Sequence, residues 1–186
     1  MTATTFEVRT VGLGDPLVSP LLSELAYEYA TRYRDLLDAD ELRAELEAYP
    51  AHELAAPDGD LVVLLDDGEP VAGGAFRRRT EPELGDVERL AERHVRHTDG
   101  TPAVPTAELK RIWTSSTRRR QGLARRVLVE LEARAAAAGY ARLYLTTGPR
   151  QPEAVGLYLS AGYTPLFDTE ADRTGPLPFE KWLRTS

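Results

Sequence analysis

The chain has 186 residues, 42% of them hydrophobic and 28% charged, proportions that fit one soluble globular domain and exclude a disordered or fibrous chain. It contains no cysteine, which excludes disulfides, thiolate nucleophiles and zinc–thiolate sites. A formal net charge of −7 argues against nucleic acid as a partner, because that binding relies on Lys and Arg meeting phosphates.

Phe6-Glu7-Val8-Arg9 alternates apolar and polar and predicts an opening strand. After Asp15-Pro16, Leu17, Leu21, Leu22, Leu25 and Tyr29 recur at helical spacing. A second amphipathic helix starts near Asp38, with Leu42 and Leu46 on its inner face, and His52 to Asp60 reads as a loop around Pro57 and Asp58-Gly59. Leu61–Leu65, the turn residues Asp66 to Pro70, and Val71–Phe76 predict a hairpin. Gly73 and Gly74 in its second arm signal a bulge or a close backbone approach.

From Thr80 to Pro105 acidic residues and prolines surround a predicted helix, Val87 to Val95, and the segment reads as an insertion or as a lid over a substrate. Glu108 to Ser115 is the next predicted strand, followed by a turn over Ser116–Gln121. A helix then carries Leu123, Val127, Leu128, Leu131 and Ala135 on one face and stops at Gly139. Leu143–Thr146 is a strand, Pro152 opens a helix that stops at Gly162, and Tyr163–Phe167 and Leu177–Leu183 are two further strands. A hairpin early and alternating strands and helices late indicate a mixed α/β sheet. No apolar run approaches the ~18–20 residues of a membrane helix. MTATTFEVRT lacks the layout of a secretory signal, so a cytoplasmic home with no membrane partner is expected.

The chemistry concentrates at the turn between the fourth strand and its helix. A helix start exposes N–H groups without intrahelical partners and a partial positive charge, both suited to phosphate. Gly122 lets the backbone approach a ligand, Ala124 keeps the next position small, and Arg118, Arg119, Arg120, Arg125 and Arg126 add charge. On an acidic chain this patch suits a small polyanion; the bland alternative is a solvated, arginine-rich helix start.

Arg119-x-x-Gly122-x-Ala124, with AELKRIWT upstream and QPEAVGLYLSAGY downstream, resembles the GNAT N-acetyltransferase family. The downstream match runs through Ala154, Val155, Leu157, Tyr158, Gly162 and Tyr163, and the motifs together cover roughly Ala107 to Pro165. Thr114, Ser116, Arg120 and Gln151 stand where the family often has Val, Pro, Gly and Asn. The resemblance implies a single acyl-CoA N-acyltransferase domain over 1–186, with residues 80–105 as insertion or lid. Its sheet would be mixed and mostly antiparallel, of six to seven strands flanked by about four helices and splayed at strands 4 and 5. It implies acetyl-CoA as acyl donor, held along Ile112, Trp113 and Thr114. Its pyrophosphate would lie on Arg119, Arg120, Gln121, Gly122, Leu123, Ala124 and Arg125, with Ala154 and Tyr158 contributing from the later helix. A backbone N–H near Trp113 or Thr114 would meet the thioester carbonyl.

Acetyl transfer to an amine requires that the amine lose a proton and the departing thiolate gain one. The resemblance makes Tyr158 the acid and Glu108 the base; the bland alternatives are a core aromatic and a solvent-facing or arginine-paired carboxylate. His94 and His97 with Asp99 form too small a set for a metal, and none is expected. The reading is an acetyl-CoA-dependent N-acetyltransferase acting on the primary amine of a small molecule or amino acid derivative by direct attack in a ternary complex. The acidic first half would favour a cationic acceptor. A protein lysine or N-terminus as acceptor, and a non-catalytic acyl-CoA sensor, are the alternatives. The strand near Pro178 to Leu183 is a candidate homodimer contact.

Overall fold

The computed structural model describes residues 6–34, 38–92 and 94–184; half of the opening decapeptide read for export, Met1–Thr5, lies outside them. Its strands run in the order β1-β2-β3-β4-β5-β7-β6, mostly antiparallel with β4 and β5 parallel, which is the fold class expected from the sequence. Five α-helices accompany the seven strands among the described residues, in keeping with the six to seven strands and about four helices expected. Two compact units divide the chain: Met1–Arg77 with Lys110–Leu131, and Arg78–Leu109 with Glu132–Ser186.

In the first unit β1 (Glu7–Thr10), β2 (Asp60–Asp66) and β3 (Glu69–Arg78) form an antiparallel meander. β2 and β3 are apolar on both faces, with Leu61 to Leu65 almost wholly buried, as strands covered on two sides must be. α1 (Ser19–Arg32) buries Leu21, Leu22, Leu25 and Ala26, and α2 (Ala39–Glu47) starts at Asp38, whose side chain accepts from the N–H groups of Asp40 and Glu41. The hairpin bulge falls at Val71, because Leu64 faces Ala72 while Leu65 faces Pro70. Proline brings no ladder donor, so register slips beside it and not at the glycines. Gly73 and Gly74 serve the close approach. A Cβ on Gly74 would lie 2.7 Å from Ile112 Cδ1 and 3.0 Å from Val127 Cγ1, so the strand and helix bracketing the turn pack directly on bare backbone.

In the second unit β4 (Thr106–Thr114, begun here and finished in the first unit) pairs with β5 (Arg142–Thr147) over Thr106–Glu108. β7 (Leu177–Trp182) continues the sheet along all of β5, and β6 (Thr164–Pro165) closes it. β6 is shorter than the expected Tyr163–Phe167, although Leu166 N still donates to Pro178 O at 2.9 Å. α3 spans Val87–Glu92 and stops short of the predicted Val95. His94 takes a left-handed φ of 50°, and Val95 is buried in a cluster with Leu90, Tyr144 and Leu166. Segment 80–105 thus supplies two members of that cluster.

α4 (Leu123–Ala137) and α5 (Pro152–Ser160) end by the same device. Gly139 and Gly162 adopt φ of 91° and 83°, and the next residue donates backward: Tyr140 N to Ala135 O, and Tyr163 N to Tyr158 O.

Candidate functional site

An unusual local conformation precedes the turn. Arg111, within β4, has φ 57°, a left-handed kink just ahead of Ile112 and Trp113. Its guanidinium donates to Leu46 O at 2.9 Å and lies 4.6 Å from the Tyr49 ring centroid. Burial lowers its pKa from the ordinary arginine value. Trp113 is buried in the unit's core, and the buried Oγ1 of Thr114 has no hydrogen-bond partner.

Ser115 N donates to Val71 O, a short 3-10 turn follows over Ser116–Arg118, and Arg118 pairs with Asp66 at 2.5 Å. Arg120 and Gly122 both take left-handed φ, 63° and 76°. Such alternation curls successive N–H groups into a concavity that attracts anions. No atom lies within 4 Å of where a Gly122 Cβ would stand, so its surface is open. Arg126 N closes the first turn of α4 on Gly122 O at 3.1 Å. The N–H groups of Leu123, Ala124 and Arg125 precede that bond and carry no intrahelical partner. The structure therefore brings Ile112, Trp113, Thr114 and the Arg119–Arg125 turn together in one unit.

α1 holds the base of this turn. Glu24 Oε2 accepts from Trp113 Nε1 at 3.1 Å and Ser116 N at 2.9 Å, and its Oε1 accepts from Ser116 Oγ at 3.3 Å. One helical turn on, Glu28 pairs with Arg32 at 2.8 Å and with Arg119 at 3.2 Å. Glu24, Tyr27, Glu28, Arg32, Ser116 and Arg119 line a cleft of about 370 Å³.

The remaining candidates lie in the other unit. Glu108 is buried, and its Oε2 accepts from Arg79 Nη1 at 2.9 Å. Arg79 also donates to Pro82 O and stands 4.1 Å from the Tyr144 ring centroid. Burial, opposed by Arg79, raises the Tyr144 pKa. Nearby Arg142, wholly buried, pairs with Glu83 and with Glu180 and donates to Thr106 Oγ1. Burial again lowers its pKa, while Glu180 works in the opposite direction. Tyr158 is buried on α5, its ring 5.5 Å from Phe179 and 5.7 Å from Tyr163. Ala154 is half-buried one turn earlier. No group of three His, Asp or Glu among the described residues could hold a metal, and Asp99 accepts from Thr101 instead.

The sequence model of the acetyltransferase (GNAT) family matches residues 23–163. The chain belongs to the GNAT acetyltransferase family. Solved GNAT structures share its fold. An acetyltransferase from Streptococcus agalactiae is 16% identical with a TM-score of 0.63, over 96% of this chain and 98% of that one. The GNAT domain of S. lividans PAT is 20% identical with a TM-score of 0.61, over 96% of this chain and 90% of that one. The PaiA N-acetyltransferase from Thermoplasma acidophilum, in complex with coenzyme A, is 13% identical with a TM-score of 0.63, over 96% and 99%. No curated protein matches the chain.

Of two departures from the GNAT pattern, one carries backbone strain and the other has a structural role. Arg120 occupies a left-handed position that glycine would fill without strain. Gln151, in place of Asn, uses its Oε1 to accept from Thr147 Oγ1 at 2.8 Å and Gly148 N at 3.0 Å, fixing the start of α5. Sequence reasoning missed Glu24, Glu28, Asp66 and Arg79. The i, i+4 spacing of Glu24 and Glu28 on the polar side of a helix was the available signal, but nothing in it names a partner some ninety residues away.

Proposed function

We propose that the chain is an acetyl-CoA-dependent N-acetyltransferase that acylates the primary amine of a small molecule or amino acid derivative by direct attack in a ternary complex. The observation that carries the reading is the Arg119–Arg125 turn, with two left-handed residues, an open Gly122 and the first N–H groups of α4. The partnerless buried hydroxyl of Thr114 supports it, since such a group marks a missing acceptor or donor. Acetyl-CoA supplies the acyl group as a thioester. Ile112, Trp113 and Thr114 would hold the pantetheine arm, and the turn its pyrophosphate, with Ala154 and Tyr158 contributing from α5. Tyr158 is the proposed proton donor to the departing thiolate, and Glu108 the proposed acceptor of the amine proton.

One observation favours a second reading. Glu108 Oε2 is committed to Arg79 in a buried ion pair, as a structural carboxylate would be, which suits a non-catalytic acyl-CoA-binding module. A thiol-release assay over a panel of small amines and lysine peptides decides between them. The parent is expected to release thiol with a small amine, and Tyr158→Phe to lower kcat about a hundred-fold or more. Preference for peptides would move the acceptor to protein. Cofactor binding without thiol release from any amine would establish the binding module.

A further inference from the structure

We propose that Glu28 is a built-in competitor for Arg119, setting how tightly the turn holds coenzyme A. The proposal rests on the reading of the Arg119–Arg125 turn as the pyrophosphate site. Arg119 is the first residue of that turn, and its side chain is half exposed at 52%. It reaches back to α1, where Glu28 Oε2 accepts from Nη2 at 3.2 Å. Glu28 is itself held at its other oxygen by Arg32 at 2.8 Å, so it is a positioned carboxylate and not a wandering one. Glu24, one turn earlier, ties the same helix to Ser116 N and Trp113 Nε1. That fixes the distance between helix and turn while leaving Arg119 on a single ion pair among the described residues.

A guanidinium offers two parallel donors to a phosphate as readily as to a carboxylate. Glu28 occupies the surface the dianion would use, and its charge repels the newcomer. Apparent affinity falls by the fraction of molecules in which Arg119 is free. On release of product coenzyme A, Glu28 recaptures Arg119 and opposes rebinding. The pair therefore trades ground-state affinity for turnover, which is where an enzyme gains from weak product binding. Arg118 is withdrawn in the same manner by Asp66, although its site lies before the turn.

Isothermal titration of coenzyme A into the parent, Glu28→Gln, Arg119→Gln and the double variant tests this. Glu28→Gln is expected to tighten binding about two- to five-fold, the range an exposed ion pair supplies. The gain should vanish in the Arg119→Gln background. Unchanged or weaker binding by Glu28→Gln overturns the proposal. So does a gain that persists in full without Arg119, which would reduce Glu28 to a general repulsive charge. A parent that binds no coenzyme A overturns the pyrophosphate reading itself, and that outcome is distinct from the other two.

Discussion

At the scale of single residues, the turn concentrates backbone strain. Left-handed conformation costs a non-glycine residue about 1–2 kcal/mol, and Arg120 bears it at φ 63° on the exposed surface. Replacing Arg120 by Gly removes that strain and adds back some unfolded-state entropy. The expected outcome in urea unfolding is a gain of up to about 1 kcal/mol, together with weaker coenzyme A binding because a cation is lost. A Gly variant less stable than the parent would mean that the guanidinium makes a contact outweighing the strain. The same scale shows what sequence could reveal. Gly122 and the helix start are local features, read within six residues. The left-handed state of Arg111 and Arg120 is not announced by arginine, a residue that rarely adopts it. Their conformation is imposed by the chain on either side.

Between elements, long-range polar ties do the fastening. Tyr163, clipped to the end of α5, donates from its hydroxyl to Glu132 Oε1 on α4 at 3.0 Å, and Lys181 on β7 donates to the same carboxylate at 2.9 Å. Burial raises the Tyr163 pKa far above its usual value, and the Glu132 charge and hydrogen bond push it the same way. The folded state thus keeps a proton that the unfolded chain loses near pH 10. Stability from this group is whole below pH 10 and falls above it, by up to about 1.4 kcal/mol per pH unit. Thermal unfolding between pH 8 and 11 should show this decline, and Tyr163→Phe should flatten it, with Tyr144 contributing the remainder. The phenylalanine variant should also lose about 1–3 kcal/mol at pH 8, since Glu132 is left with one donor fewer. An unchanged alkaline slope would count against this account.

Element types were legible from periodicity: the hairpin, both late helices with their glycine stops, and strands β4, β5 and β7. Pairings such as Arg79 with Glu108, or Arg142 with Glu83 and Glu180, were not, because charge complementarity alone cannot choose among 23 basic and 30 acidic residues. The hairpin bulge went to Val71 because proline, and not glycine, was the residue unable to donate.

For the whole molecule, the order of the chain matters more than its composition. Neither compact unit is one continuous stretch: the first is completed by Lys110–Leu131, and the second is interrupted by it. Residues 1–77 alone would lack Ile112, Val127 and Leu131, which fill the space over Gly74, and Trp113 from the core cluster. A fragment of residues 1–77 is expected to show a collapsed, poorly dispersed amide spectrum, whereas the full chain gives a dispersed one. A well-dispersed spectrum from the fragment would show that the first unit folds without its second segment.

The tie from Trp113 to Glu24 has an optical consequence. Of the two tryptophans, Trp182 is 39% exposed and Trp113 only 3%, with its indole N–H bonded to the helix that also carries Glu28. Silencing Trp182 by phenylalanine would leave one emitter, sheltered from water and anchored to a carboxylate that also holds Ser116, just ahead of the turn. Any ligand that pulls the turn away from α1 alters that emitter's surroundings directly. The protein carries its own unlabelled probe, fast enough for stopped-flow work, at the place where ligand arrival and departure would be felt.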